Sequence, residues 1–428
     1  MKMKKRRITL LLIPLFFIPL FSVNAQSLTI EDCQGMAREN YPAIARFHVI
    51  ENIRSFNLEN ANKAYYPQLS LNAKATWQSD VTRIDLELPS HFPPLEIPIP
   101  DKDQYQVYGQ LNQLIWDGGK VSAQKEMIVA NAEVEKQKLE TEIYSLQERV
   151  NQVFFGILLL NEQLTQQGIL EKELQQNLEK VQSYVLNGVA NDADLSAVKV
   201  EQLKTNQQRI QMESALDSYI KILSVLTGHR IDPKTVFVKP PVAEVPDHVV
   251  IDRPELRFFT AQENLLNSQK TALTARNRPV ISAFAQGGYG KPALNMFENK
   301  FKPYVIGGVS FSWNLGSLYT YKQEKKSIEQ QKLTLDSERE TFLYNLNVQL
   351  PQQQNEIKKY RHTMQDDNEI IRLRKQIKEA AEAKVKNGTL TVSDLLREIN
   401  ALEAARQAKS LHEIQYLMSV YKLKFTTN

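Results

Sequence analysis

Residues 120–186 contain no proline and only two glycines, Gly156 and Gly168. Within them, apolar residues fall at Leu139, Ile143, Leu146, Val150, Val153, Ile157, Leu160 and Leu164, in unbroken steps of four and three. That spacing is a heptad seam, so the segment reads as one helix packed as a coiled coil. At 1.5 Å per residue such a helix runs on the order of 100 Å. Asn187-Gly188 ends the rod, because both residue types tolerate the left-handed conformation of a helix stop. Asp192 or Asp194 then caps a returning helix that reaches Gly228.

The pattern is written twice. Pro42 and Pro254 lie 212 residues apart, as do Pro67 and Pro279. Asn187-Gly188 and Asn387-Gly388 lie 200 apart, as do Asp194-Leu195 and Asp394-Leu395. Trp116-Asp117 and Trp313-Asn314 differ by 197, so the first copy carries the longer loop before its tryptophan. A unit of about 200 residues is far longer than a solenoid repeat. The chain therefore reads as a first half over 26–228, a joining segment over 229–252, and a second half over 253–428. Pro233, Pro240, Pro241 and Pro246 exclude a continuous helix through the joining segment. The second long helix spans about 317–386, turns at Asn387-Gly388 and returns to about 425. Pro351 inside it predicts a kink that the first half lacks.

In each half the period switches to two before the long helix. Helical spacing over 28–65 stops at Pro67. Leu69, Leu71, Ala73, Ala75 and Trp77 then alternate with Ser70, Asn72, Lys74, Thr76 and Gln78. A loop rich in proline (Pro89, Pro93, Pro94, Pro98, Pro100) leads to a second strand over 105–116, broken by Asp117-Gly118-Gly119. Strands near 280–289 and 304–313 repeat this, giving hairpins over 67–116 and 279–314. Each strand has about ten residues, the length a tilted strand needs to cross a bilayer. Four strands cannot close a barrel, since about eight is the minimum, and open edges in hydrocarbon leave backbone groups unpaired. Either several copies share one barrel, or two soluble hairpins pack on the helices.

The N-terminus favours the first alternative. Residues 1–7 are basic, Ile8 to Phe21 are apolar apart from Thr9 and two prolines, and Val23-Asn24-Ala25 offers a cleavage site. Residues 1–25 thus read as an export signal. Cys33 follows Ile30-Glu31-Asp32, which is the wrong context for lipid attachment. No later segment has the 18 or so apolar residues of a spanning helix, so a membrane role must use strands. The net charge of +4 includes five lysines and arginines in the signal; without them 48 basic residues face 49 acidic ones. A near-neutral chain has no bulk electrostatic case for nucleic acid. One cysteine and six scattered histidines leave no cysteine-based metal site, and no cofactor motif is present.

Several fragments resemble one family. They are Ser27-Leu28-Thr29-Ile30-Glu31-Asp32 through Asn40-Tyr41-Pro42, Tyr66-Pro67-Gln68-Leu69-Ser70, Leu114-Ile115-Trp116-Asp117-Gly118-Gly119-Lys120, and the two stretches Asn187-Gly188 to Asp194-Leu195 and Asn387-Gly388 to Asp394-Leu395. In that order they are similar to the TolC family of outer-membrane efflux channels, over essentially the whole mature chain. The resemblance implies a fold that is mainly α with membrane β: long antiparallel helical hairpins forming a coiled-coil tunnel, plus two β-hairpins contributing four strands to a shared twelve-stranded barrel. It implies a homotrimer in outer-membrane lipid, with the tunnel extending into the periplasm and residues 229–252 in an equatorial belt around it. The implied partners are a periplasmic adaptor and an inner-membrane pump of proton-driven or ATP-driven type. Two departures stand out. Trp313-Asn314-Leu315-Gly316-Ser317 replaces the aromatic-Asp-Gly-Gly junction in the second half, and a position acidic in well-studied members is Arg397 here.

The candidate residues follow. Asp194 and Asp394, repeated threefold, form acidic rings at the tunnel mouth, or each caps the helix after its tip. Arg397 pairs with Glu398 neighbours or with Asp394 in an adjacent helix, as a latch sensitive to opening, or is a solvated charge. Asn187, Gly188, Asn387 and Gly388 are turn residues, and the resemblance makes them adaptor-docking tips. Trp77, Trp116, Trp313 and Tyr105 are candidates for the membrane interface, as is Tyr108. The function expected is a passive export duct; the alternative is a periplasmic coiled-coil structural or adaptor protein. An exported hydrolase is a third class, but no nucleophile elbow, zinc-binding His pair or phosphate loop occurs.

Overall fold

A computed structural model describes residues 27–84, 98–188, 190–241 and 250–428. The export signal over 1–25 and the prolines Pro89, Pro93, Pro94 and Pro246 lie outside the described residues. The chain opens with a two-residue strand, β1 (Ser27–Leu28), and the helices α1 (Ile30–Asn40) and α2 (Arg46–Asn62). Strands β2 (Gln68–Trp77) and β3 (Asp103–Trp116) precede the long helix α3 (Lys120–Leu186) and its return α4 (Asp192–Thr227). After β4 (Val236–Phe237), the second half runs through α5 (Pro254–Arg276), β5 (Val280–Lys291), β6 (Lys302–Ser312), α6 (Leu318–Lys386) and α7 (Val392–Thr427). The expected mainly helical fold with an internal duplication is present. Pro351 does not interrupt α6, which is helical on both sides of it. No helix among the described residues is long and apolar enough to cross a membrane.

The two hairpins form one sheet. Its order is β2-β3-β5-β6, every neighbour antiparallel, so β3 of the first half pairs with β5 of the second. Strands β2 and β6 are its open edges, and they run in opposite directions. The short strands β1 and β4 pair separately, with Leu28 beside Phe237, which ties the joining segment to the start of the chain.

The heptad seam is the core of the helical part. Leu139, Ile143, Leu146, Val150, Val153 and Ile157 are all buried. One apolar cluster centres on Phe154 and Phe155 of α3, with Ile30 and Cys33 of α1, Phe237, and Tyr416, Leu417, Val420 and Tyr421 of α7. Phe154 meets Phe237 edge-on at 5.8 Å, and Phe155 meets Tyr421 at 5.3 Å. Burial there pushes the Cys33 thiol up to about 12, with Asp32 and Glu31 adding to the effect. A second cluster lies near the turns, where Leu174 and Val181 pack with Val198, Ala381, Val385, Leu395 and Ile399. Arg253 fastens the start of α5 to the end of α7. Its guanidinium stacks 4.7 Å from the Tyr144 ring and 4.9 Å from the Phe425 ring, donates to the Phe425 carbonyl at 2.5 Å, and pairs with Glu255.

The helical faces nearer the sheet are not covered. Val49, Ile53 and Phe56 of α2 and Leu333, Tyr344 and Val348 of α6 are more than half exposed. A compact chain of this mass exposes about 17,000 Å², whereas this one exposes 28,735 Å².

Candidate functional site

The register sorts the sheet into two faces, because directly paired residues point the same way. One face carries Leu69, Leu71, Ala73, Ala75 and Trp77 of β2 and Leu111, Gly109, Val107 and Tyr105 of β3. On it β5 adds Ile281, Ala283, Ala285 and Tyr289, and β6 adds Phe311, Val309 and Val305. Leu69, Leu71, Trp77, Val305, Val309 and Phe311 are each at least 65% exposed. The opposite face carries Gln68, Ser70, Asn72, Lys74 and Thr76, then Gln104, Gln106, Gln110 and Asn112, then Ser282, Gln286, Ser310 and Ser312. Its aromatics pack against glycines: the Phe284 ring lies close to Gly308, and an added Cβ at Gly288 would sit 2.9 Å from the Tyr304 Cζ and 2.6 Å from the Tyr108 Cβ.

Aromatics mark both ends of the apolar face. Trp77, Tyr105 and Tyr289 stand at the loop end, with Phe301 stacked 5.8 Å from Tyr289. Trp116, Phe311 and Trp313 stand at the helix end, where the Trp313 indole donates to the Asn277 carbonyl at 2.9 Å. Tyr105 and Trp116 are eleven residues apart along β3, which at 3.4 Å per residue and a tilt near 40° spans about 25–30 Å. Tyr108 does not join this set: it pairs with Asn72 and Gly288 on the polar face, three residues and hence one parity change from Tyr105.

At the strand-to-helix junction the Asp-Gly-Gly pattern has a mechanical explanation. Asp117 is buried and accepts from Gly119 N at 2.9 Å and Val121 N at 2.6 Å, capping α3. Burial alone would raise its carboxyl, but bonds from Val121, Gly119 and Tyr65 outweigh it and hold it below its ordinary value. Gly118 has φ +71°, and a Cβ there would meet the Arg278 Cβ at 2.5 Å, so only glycine lets the start of β5 pass. In the second half Asn314 takes the place of the aspartate, accepting from Gly316 N at 3.1 Å.

At the far end the two turns are near-copies. Gly188 and Gly388 adopt φ +71° and +68°, while Asn187 and Asn387 stand one residue earlier at φ −93° and −91°. The left-handed residue is thus the glycine, not the asparagine. The cap of α4 is Asn191, and Asp194 completes a capping box: its amide donates to the Asn191 side chain at 2.9 Å, and its carboxylate accepts from Asn191 N at 3.1 Å. In α7 the cap is Thr391, whose hydroxyl donates to Asp394 at 2.6 Å. That bond, reinforced by Arg397, holds the Asp394 carboxyl below its ordinary value. Arg397 is exposed and lies 3.3 Å from Asp394 of its own helix, while Glu398 takes Arg374 at 3.4 Å. Asp194, Asp394, Asn191 and Gly388 line one groove of about 390 Å³ between the turns; Arg397, Asn187, Gly188 and Asn387 lie outside its lining.

Above the turns, α3, α6 and α7 share a charged layer that reading the sequence missed. Lys378 pairs with Glu173 and, at 3.4 Å, with Glu382. Burial pulls the Lys378 ammonium down, but the two carboxylates outweigh it and hold it above its ordinary value. Glu403 is buried, and burial raises its carboxyl despite a bond from Gln407 and Arg406 at 3.8 Å. The signals are seam positions occupied by charge, which resemble solvated helix faces when the neighbouring helices are unknown.

The chain thus carries a two-faced, four-stranded sheet on two long helical hairpins. Residues 35–229 match the family described as outer membrane efflux protein. The fold is similar to that of the outer membrane protein VceC from Vibrio cholerae, at 12% identity over 93% of this chain and 95% of that one, with a TM-score of 0.66. It is similar to the CmeC outer membrane channel of Campylobacter jejuni at 12% identity, over 93% and 85% of the chains, TM-score 0.65. The open state of the Neisseria gonorrhoeae MtrE outer membrane channel gives 14%, 93%, 88% and 0.64. No curated protein matches the chain in sequence. The family match covers the first half of the chain, and the fold over nearly its whole length is that of these outer-membrane channels.

Proposed function

We propose that three copies of this chain assemble a passive export duct, with twelve strands closing one barrel and the helical hairpins continuing it as a tunnel. The observation that carries this is the sheet: one exposed face mainly apolar, with the charged Asp103 and Lys291 only at its loop end, the other face mainly polar, and two open edges. Burying a large apolar side chain is worth about 1.5–3 kcal/mol. Six such side chains left in water therefore forgo roughly 10 kcal/mol or more, comparable to the whole stability of a domain. Lipid against that face removes the cost, and the polar face then lines water. Because the edge strands run in opposite directions, β6 of one copy meets β2 of the next antiparallel, and the ring closes without an unpaired edge.

The two repeats over 26–228 and 253–428 then supply pseudo-equivalent walls, joined through 229–252 at an equatorial belt. Trp77, Tyr105, Trp116 and Trp313 anchor the sheet at the two interfaces. The turns Asn187-Gly188 and Asn387-Gly388 receive a periplasmic adaptor, and an inner-membrane pump, proton-driven or ATP-driven, supplies the energy. No chemical step is assigned to the chain. Asp194 and Asp394 cap their helices and, repeated threefold, bias the mouth toward cations. A periplasmic structural protein leaves the apolar face unexplained. Sizing the detergent-solubilised protein and recording it in planar bilayers tests the reading. A heat-labile trimer with discrete conductance steps is expected; a monodisperse monomer soluble without detergent would end it.

A further inference from the structure

We infer that the bore carries a cationic collar at the loop end of the sheet, formed by Lys74 and Lys302, which favours anionic solutes at that level. This rests on the sheet being the wall of a water-filled barrel. Among the described residues, the polar face of the four strands holds no aspartate and no glutamate, and its charges are Lys74 and Lys302. The register places them in one cross-strand row: Lys74 faces Gln106, Gln106 faces Gly290, and Gly290 faces Lys302. Between the lysines the row is uncharged and flat, since Gln106 Cγ lies 2.9 Å from where a Cβ on Gly290 would stand.

Charge is sorted by face at this level. Asp101 pairs with Lys291, which sits opposite Tyr105 on the apolar side, and Asp103 is paired with Trp77 on that same side. Asp101 and Asp103 are thus on the side away from the bore, and Glu298 is the rim carboxylate that meets a bore-side lysine. Lys302 has a counter-charge in Glu298, one turn-length earlier in the connecting loop, and Lys74 has no ion-pair partner among the described residues. Both lysines are on edge strands, so closing the ring sets the Lys302 strand of one copy beside the Lys74 strand of the next. Three copies bring six lysines to the bore.

The field of such a collar reaches the axis. Twelve strands 4.7–4.9 Å apart, tilted near 40°, give a backbone radius of about 12 Å. The screening length at physiological salt is about 8 Å, and the lysine side chains project inward from the wall. A passing ion therefore crosses the collar within about one screening length of a positive charge, in series with the acidic mouth some 100 Å away along the rods.

The test is the zero-current potential of the reconstituted protein across a KCl gradient. It compares wild type with Lys74→Gln, the double variant Lys74→Gln/Lys302→Gln, and Lys74→Glu. The potassium-to-chloride permeability ratio is expected to rise about threefold in the double variant, the effect of about one kT of local potential. Lys74→Glu is expected to exceed Lys74→Gln. Open channels whose ratio is the same in wild type, the double variant and Lys74→Glu would overturn the collar while leaving the duct in place. A wild-type trimer that never conducts would remove the duct, and the collar with it. If Lys74→Glu fails to assemble, the neutral double variant decides alone.

Discussion

Gly118 and Gly188 have the same backbone angle, φ +71°, in opposite surroundings. Around Gly188 nothing lies within 4 Å of an added Cβ, whereas at Gly118 the Arg278 Cβ is 2.5 Å away and the Pro279 carbonyl 3.0 Å. Gly188→Ala should therefore cost only the left-handed backbone, about 1–2 kcal/mol. Gly118→Ala adds an overlap that only a shift of the junction relieves, and its loss should exceed the other by about 1–3 kcal/mol. Thermal unfolding of the two variants, followed by circular dichroism in the same detergent, checks this; equal midpoints would show that the junction gives way freely. Both glycines were legible in the sequence as turn signals, but their difference was not, because it depends on Arg278, 160 residues further on in the chain. Tyr108 marks the same limit from the other side. Strand parity placed it opposite Tyr105, and proximity in sequence was no guide to its face.

At the level of elements, the heptad seam of α3 was readable because its occupants are apolar. Where the seam turns polar, reading along it stops. The same four-three steps lead from Leu164 to Gln167, which is fully buried and donates to the Thr205 carbonyl of α4 at 2.8 Å. Glu403 was hidden for the same reason. Its carboxyl is raised by burial, so the folded state holds its proton more tightly than the unfolded state does. The stability it contributes is present below the unfolded value, about 4.3, and is lost as pH rises through the higher folded value. Glu403→Gln should therefore raise the melting temperature at neutral pH and leave it unchanged near pH 4, which a pH series of thermal melts checks. The turns pose a different question, since Asp394 is both a cap and a charge. Asp394→Asn keeps a side chain able to accept from Thr391 but removes the charge, whereas Asp394→Ala removes both. If the acidic-ring role is correct, the two variants lose the same cation preference in bilayer recordings. If Asp394 acts only through the cap, Asp394→Asn conducts like wild type.

For the whole molecule, what reading the sequence missed is how its two halves meet. The duplication, the rod lengths and the four strands were all readable from spacing. The union of the two hairpins in one sheet through β3 and β5 was not, because that pairing joins segments about 180 residues apart across the long hairpin between them. That single sheet makes the two faces testable against each other. Leu71 and Ser70 are neighbours on the edge strand β2, and the register sends one to the apolar face and the other to the polar face. A lysine on the lipid side near mid-membrane costs about 2–4 kcal/mol, and a ring multiplies the cost by the number of copies. On the wet side it costs little. Leu71→Lys should therefore abolish the heat-labile oligomer in outer-membrane fractions, while Ser70→Lys should assemble in wild-type amounts. If both variants assemble equally, the apolar face does not meet lipid. If both fail, the polar face is not wet. Only the asymmetric result is compatible with a barrel whose water is on the inside, because nothing else about these adjacent positions separates them except the direction in which the strand points their side chains.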